Sequence, residues 1–450
     1  MPTRFLYYWQ QLRESLWFVP SVLVLLATGL AYGLVEFDAR TSFDGAKRFP
    51  LLFGASAEGS RGMLTAIAGS MLTVAALVFS LTLATISQVS SQYSPRVLRN
   101  FMRDRGNQVV MGYFVSVFVY CLLVLGTIRG TDEQKFVPST AVVAGLGLAL
   151  GGVVALIYFI HHIAESLQTG TILRRISQET LRTIDQLFPT RVGEPAAVPQ
   201  LEARAEEFSG AAAGWQLIRA PQGGYVQRVD ADGLLCWARQ HHALLRVEQP
   251  VGAFIGEQSL LFRVRPASGA AANQELAATA AQDLLRRVVI ARHRNSEQDV
   301  AFGLQQLVDI ALRALSPGVN DTTTAIMAVD YLGLAFQRLA SRPFPAALRS
   351  DGQQPRLLVS ALDFAGYLRL TFDLVRLNSR SNHAVLRRLL RALALAGEAT
   401  SSGDRKMLIA GQAELVRRYA EQTLATEYEK QAVQALYQEL EPQWQASPGS

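Results

Sequence analysis

Met63 to Pro95 reads MLTAIAGSMLTVAALVFSLTLATISQVSSQYSP, a run of 33 residues without a charged side chain. As a helix it would rise about 50 Å, against about 30 Å for the hydrocarbon core of a bilayer. Its first two-thirds are apolar and predict a membrane span. Its last third, ATISQVSSQYS at 84–94, turns polar without gaining charge. Such a helix leaves the lipid while keeping hydroxyls and amides, which either line a watery path or pack against a partner. Ser80, Ala84, Ser87 and Ser91 recur at spacings of four, three and four, and Thr85, Gln88 and Gln92 form an adjacent stripe at the same helical period. In a symmetric oligomer the two stripes would surround a pore. Arg96, Arg99 and Arg103 would then form a basic mouth that favours anions or repels cations. Pro95 marks a helix end or a kink, and is the candidate hinge. The competing reading is that serine and threonine pack helices while glutamine bonds a neighbour.

Three further apolar runs flank this one: Leu16–Val35, Val109–Ile128 and Phe136–Ile160, the last interrupted by Gly145, Gly147, Gly151 and Gly152. Trp17 and Tyr32 near the ends of the first run are expected interfacial anchors. No span, with the second taken as Met63 to about Gln88, contains Asp, Glu, Lys or Arg. That argues against a proton relay or an ion-coupled transporter with a charged midplane site. The link after the second run carries Arg96, Arg99, Arg103 and Arg105 against Asp104, whereas the segments Glu36–Gly62 and Arg129–Val137 balance to zero. The positive-inside rule therefore places both termini in the cytoplasm. His161 and His162 close the fourth span, with Glu165 one turn further on; His161 and Glu165, at i, i+4 spacing, suit a pH sensor, half of a metal site or an ordinary interfacial pair.

The remaining text reads as soluble protein. Residues 166–200 form a helical extension to Phe188 and a linker marked by Pro189, Pro195 and Pro199. Residues 201–268 form a small α+β module, with strands expected at 223–229, 244–248 and 260–264 and a helix capped near Asp230. Residues 269–450 are expected to be helical, over 274–341, 354–376, 382–397 and 403–440. Within them Leu304, Leu307, Ala311 and Leu315 make an apolar face, and Arg387 and Arg388 a solvated one. Ser316-Pro-Gly stops one helix, and Asn320 or Asp321 caps the next. The loop of Ser316, Asn320 and Asp321 is a candidate ligand site at a helix N-terminus, or simply a turn with its cap.

The chain has 450 residues and a net charge of +6. No Lys/Arg cluster interleaved with aromatics points to nucleic acid, and anionic lipid is the expected partner for the excess charge. Cys121 and Cys236 form no disulfide framework. Cys236, His241 and His242 lack zinc spacing, and Asp230 and Asp232 lack the rest of a calcium loop, so neither metal nor cofactor is expected. No phosphate-cradling loop, metalloprotease motif or nucleophile–base arrangement appears, and the chain does not read as an enzyme.

FSLTL at 79–83 running into SSQYSPRVLRNFMRD at 90–104, GYVQRVD at 224–230, and FGLQQLVDIALRALSPGVNDTTTA at 302–325 together resemble a bacterial family of predicted membrane proteins catalogued as a domain of unknown function, DUF2254. The resemblance runs through most of the chain in matching order. It implies a four-span N-terminal part and a cytoplasmic remainder, and no particular activity. Family members usually carry proline after the Asn-Asp pair, where this chain has Thr322. That exchange loses a preformed first helical turn.

The fold expected is therefore an α-helical membrane protein with four transmembrane helices (residues 1–165), followed by a cytoplasmic α+β module and a mostly helical C-terminal region. It is expected in the bacterial inner membrane, in contact with lipid and as a homo-oligomer. The first functional reading is an ion channel or pore lined by span two and regulated from the cytoplasm, with an inorganic ion as its cargo. The alternative is a non-conducting membrane scaffold or signalling protein whose cytoplasmic region binds a ligand or a partner.

Overall fold

The computed structural model describes residues 15, 17–41, 56–92, 104–129, 136–188, 194–195, 208, 214–266, 278–345, 347–350 and 354–444. The chain divides into two compact units, with the boundary after Thr171.

Four helices build the first unit: α1 (Phe18–Arg40), α2 (Ala57–Gln92), α3 (Arg105–Thr127) and α4 (Ser139–Ser166). Each is long and apolar enough to cross a membrane. The helices overrun the uncharged text, so Glu36, Asp38 and Arg40 lie on α1, Glu58 and Arg61 on α2, Arg105 on α3 and Glu165 on α4. A helix ends where its backbone amides and carbonyls find other partners, and hydropathy alone does not mark that point. Phe136, expected to open the fourth span, instead forms an antiparallel bridge with Arg129.

Helix α3 is the hub and packs against each of the others. Gly112 lets α1 approach so closely that a Cβ there would come within 2.7 Å of the Pro20 Cα. Tyr113 donates its hydroxyl to the Leu148 carbonyl and Tyr120 to that of Ala141, both at 2.7 Å, tying α3 to α4. Gly145 and Gly152 serve the close approach of α4 to α2 and α3, whereas a Cβ at Gly147 would meet open space. Charged groups close the helix ends. Asp38 accepts from the amides of Thr140 and Ala141 at the start of α4, and Arg61 donates to the Ile128 carbonyl just past α3. Both interactions satisfy backbone groups that the helices leave open.

In the second unit, helix α5 (Thr169–Leu187) is followed by a short strand β1 (Glu194–Pro195), which places Pro195 on a sheet edge rather than in a linker. An edge is where a residue without an N–H is tolerated. Then come β2 (Gln216–Arg219), β3 (Gly224–Val229), α6 (Ala231–Gln240), β4 (Ala243–Val247), β5 (Phe254–Ile255) and β6 (Leu260–Pro266), close to the expected strands and helix. Asp230 caps α6 by accepting from the Gly233 amide.

Beyond 269 the chain is less uniformly helical than its text implies. Helix α7 (Ala278–Leu285) gives way to strand β7 (Val288–Ala291), then α8 (Val300–Ala314) and α9 (Thr322–Ala340). Strands β8 (Leu348–Ser350) and β9 (Pro355–Val359) occupy the start of the segment read as a helix over 354–376. Four more helices follow: α10 (Phe364–Asn378), α11 (His383–Glu398), α12 (Gly403–Thr423) and α13 (Glu427–Trp444). The single helix expected over 403–440 is thus broken at Leu424, the C-cap of α12.

One sheet has the order β1-β8-β9-β4-β6-β2, and a second the order β5-β3-β7. Strand β9 pairs with β4 in parallel, Leu245 opposite Leu357 and Val247 opposite Val359. The sheet begun within 201–268 is therefore finished by strands from beyond 269. Trp237 of α6, Leu245 and Phe262 are wholly buried in its core. The helices α8 to α13 pack on one another, and Leu304, Leu307 and Ala311 face that core as their spacing requires. Arg388 lies on no simple solvated face, because its guanidinium binds the Asp330 carboxylate of α9.

Gly112→Val forces α1 away from α3 and should cost about 1–3 kcal/mol, as overpacking does. Gly147→Ala should leave stability unchanged, since no atom lies within 4 Å of the added carbon. Thermal unfolding of the two full-length variants in detergent checks the contrast, and equal midpoints would refute the hub role of α3.

Candidate functional site

On α2 the buried positions with described side chains are Ser60, Leu64, Ala68, Met71, Ala75, Val78, Thr85 and Val89. From Leu64 on, steps of four and three, with one step of seven between Val78 and Thr85, give a seam of period 3.5, the pattern of helices packed with a slight left-handed supercoil. Ser80, Ala84 and Ser87 lie on the far side and are exposed, as is Gln88. The two expected stripes therefore separate. Thr85 is 7% exposed and turns into the bundle, where its hydroxyl donates to the Leu81 carbonyl, so it leaves the pore-lining set. The physical reason is that the bundle's own seam captures it. Ser70, Thr73 and Thr82 likewise donate to the carbonyls four residues earlier. Hydroxyls bonded in this way need no water, and they sit on α2 without requiring a solvated path. Helix α2 continues through Ser91 and Gln92, whose side chains lie outside the described residues, as do Pro95, Arg96, Arg99 and Arg103.

His161 and Glu165 are exposed and 3.9 Å apart. The neighbouring His162 makes the closer contact, its Nε2–H donating to Asp104 Oδ1 at 2.9 Å while its ring stacks on Tyr158. Asp104 is also the N-cap of α3 and accepts from the Gly106 amide.

The loop at 316–321 spends its polar groups on itself. Ser316 Oγ donates to the Arg313 carbonyl, and Asp321 accepts from the Thr324 amide at 3.0 Å and from its hydroxyl at 2.6 Å. The Thr324 hydroxyl and amide hold the Asp321 carboxyl below its ordinary value. Asn320 adopts a φ of +47°, a turn conformation that asparagine tolerates. Thr322 accepts from Asn382 Nδ2 at 2.8 Å, which joins the start of α9 to the N-cap of α11.

A cavity of about 550 Å³ opens in the second unit among the end of α5, the loop at 249–253, the N-termini of α6 and α8, strand β8 and the start of α10. One wall is aromatic. The rings of Phe188 and Phe344 are 5.0 Å apart, and Tyr367 lies 6.3 Å from the first and 5.9 Å from the second. Arg405 of α12 stands behind this wall, 5.0 Å from the Phe344 ring and 5.1 Å from that of Phe364, and donates to the carbonyls of Ala340 and Arg342.

The rest of the lining is polar. Arg294 and Asp299 form a two-pronged pair at 2.7 and 2.8 Å. Gly252, with φ +88°, makes room for that pair, because a Cβ would press on both partners. Arg349 lies in β8 at 6% exposure. Burial pulls its guanidinium below the usual arginine range, an effect that the field of Asp232 partly offsets. Burial pushes the Tyr367 phenol up, with the nearby Asp299 adding to the effect and Arg294 opposing it. Arg228 lines the same cavity, half-buried. Sequence reasoning missed this site, whose lining is scattered from Leu187 to Leu370. The one available signal was arginine inside strand-like text, as at Arg228.

A family model described as predicted membrane protein (DUF2254) matches residues 13–395. An uncharacterized protein of Mycobacterium bovis is 34% identical over 431 residues, covering 94% of this chain and 79% of the relative. Uncharacterized proteins from two strains of Mycobacterium tuberculosis are 34% and 33% identical, with the same coverage. No solved structure matches the chain. The family match takes in the four spans and every residue lining the cavity, and stops short of α12 and α13.

Asp321→Ala should cost about 0.5–2 kcal/mol, the usual loss of an N-cap, while Asp321→Asn keeps an acceptor and should lose less. Because the folded pKa is depressed, the wild-type advantage over Asp321→Asn is present above the ordinary carboxylate pKa and is lost as pH falls through the lower folded value. Unfolding midpoints of the three full-length proteins across the acid range check both statements.

Proposed function

The chain belongs to the family of predicted membrane proteins DUF2254, and we propose that its C-terminal unit is a cytoplasmic ligand-binding module that regulates a multi-pass part in the bacterial inner membrane. The observation that carries this reading is the cavity. Its volume of about 550 Å³ suits a drug-sized molecule, since small-molecule sites occupy roughly 300–1,000 Å³ with mostly apolar walls and a few placed polar groups. The aromatic wall supplies apolar area, and the arginines supply orientation. Connectivity supports coupling. Only Leu167 and Gln168 separate α4 from α5, and the chain reaches the cavity at Leu187 and Phe188 where α5 ends.

A second reading is a homo-oligomeric path for an inorganic ion along α2. It is supported by the uncharged outer face of Ser80, Ala84, Ser87 and Gln88, exposed opposite the helix's own packing seam. Small residues there would let subunits approach closely. The back-bonded hydroxyls of α2 weigh on the other side, as they fit a dry lipid or subunit contact equally well.

A compound screen by thermal unfolding of the full chain in detergent tests the first reading. A ligand at 100 times its Kd should stabilise the protein by about 2.7 kcal/mol. Ala301→Trp, which fills the cavity from the first turn of α8, should abolish that shift. If no compound stabilises the wild type more than Ala301→Trp, the reading fails. For the second reading, purified protein in a planar bilayer should give discrete conductance with ion selectivity altered by Ser87→Ala or Gln88→Leu. Its absence from every oligomeric state would remove the path.

A further inference from the structure

Arg349 is the least expected residue in the cavity wall. A buried guanidinium costs several kcal/mol to desolvate unless a partner compensates, so buried arginines are ordinarily paired. Elsewhere in this unit half-buried arginines are paired: Arg263 binds Glu248 and Arg294 binds Asp299. Arg349 is 6% exposed, yet among the described residues no hydrogen bond or ion pair reaches its guanidinium. Arg228 lines the same cavity, and no described residue binds its guanidinium either.

Two of the neighbouring carboxylates are committed. Asp299 is held by Arg294 and caps α8 through the Phe302 amide. Asp230 caps α6, with Arg287 at 3.8 Å. Asp232 is exposed and reaches Arg349 only through its field. Gln249 and Gln298 are each partly engaged, the first donating to the Leu260 carbonyl and the second accepting from the Val229 amide. Beside the aromatic wall stand two guanidinium groups and the Tyr367 hydroxyl without a side-chain partner, against the single uncommitted carboxylate of Asp232. That surplus is of donors and positive charge. Its complement is an acceptor-rich anionic head on an apolar body, and the planar fork of arginine matches a carboxylate or phosphate with two parallel hydrogen bonds.

We propose that the cavity binds a small organic anion, a carboxylate or phosphate ester with an aromatic or aliphatic body, anchored by Arg349 with Arg228 as the second cation. The proposal rests on the reading of the C-terminal unit as a ligand-binding module and names the class of its ligand. The aromatic rings of Phe188, Phe344 and Tyr367 hold the apolar body, while Arg349 fixes the head. Without an anion, Arg349 is a liability to folding, the trade-off expected where function places a charge that stability would remove.

The test uses the full chain in phosphatidylcholine nanodiscs, with protein-free nanodiscs as the blank, and fluorine NMR of two probes, 4-(trifluoromethyl)benzoate and 4-(trifluoromethyl)benzamide. The benzoate should bind saturably and about tenfold or more tighter than the amide, as charge-assisted pairing requires. Arg349→Gln should remove that preference, Arg349→Lys should restore part of it, and the unfolding midpoint of Arg349→Gln without probe should equal or exceed that of wild type. Arg228→Gln, at a half-buried position, should weaken the benzoate selectively, and it decides the matter should Arg349→Gln not fold. Equal binding of both probes, unmoved by either substitution, overturns the anion assignment and leaves the ligand-binding reading intact. Binding of neither probe overturns the assignment as well. The parent reading falls separately, when no compound in the wider screen distinguishes wild type from Ala301→Trp.

Discussion

The parallel pairing of Leu245–Val247 with Leu357–Val359 is the constraint on which the C-terminal unit depends. Antiparallel strands can be joined by a short turn, but parallel ones need a crossover, so this pairing obliges the chain to travel away and return. The journey from β4 to β9 takes in strands β5 to β8 and helices α7 to α9. Its return sets β8 beside β9 and carries Arg349 into the cavity wall. The cavity is thus a product of topology. Its lining comes from segments that are distant in sequence and that only the closed sheet brings together.

The membrane unit is governed by a related economy of hydrogen bonds. In a low-dielectric bundle an unpaired polar group is costly, and several of those here find partners that are local or adjacent. Asp38 and Arg61 serve helix ends, Tyr113 and Tyr120 bind carbonyls on the next helix, and the α2 hydroxyls turn back on their own backbone. Polarity within a span is therefore weak testimony for water. The outer face of α2 remains distinctive because its residues are small, which bears on subunit contact before it bears on conduction.

Period and composition carried much of this architecture. The four spans follow from apolar runs of membrane length, and β3, α6, β4 and β6 follow from alternation and the cap at Asp230. Failures cluster where the decisive interaction is remote. Val288–Ala291 and Pro355–Val359 are too short to announce themselves beside helical neighbours, and their strand character comes from partners at 225–229 and 245–247. Thr85 shares its period with the exposed stripe, but the bundle seam claims it. Arg388 looked solvated until α9 supplied Asp330. The loop at 316–321 was legible as a cap, because an aspartate before a helical run acts through its own neighbours. The cavity was illegible, because no local pattern records which arginines will lack a carboxylate.

Arg405 touches none of the cavity directly. It grips Phe344 from behind and anchors itself on two carbonyls at the end of α9. It also lies beyond residue 395, where the family match stops. The hydrophobic side of the pocket is therefore braced by a helix outside the family model, although the mycobacterial relatives align over 94% of the chain. A change in that helix can reset the spacing of the wall while every pocket residue stays the same, so two relatives with identical linings can still hold walls of different width.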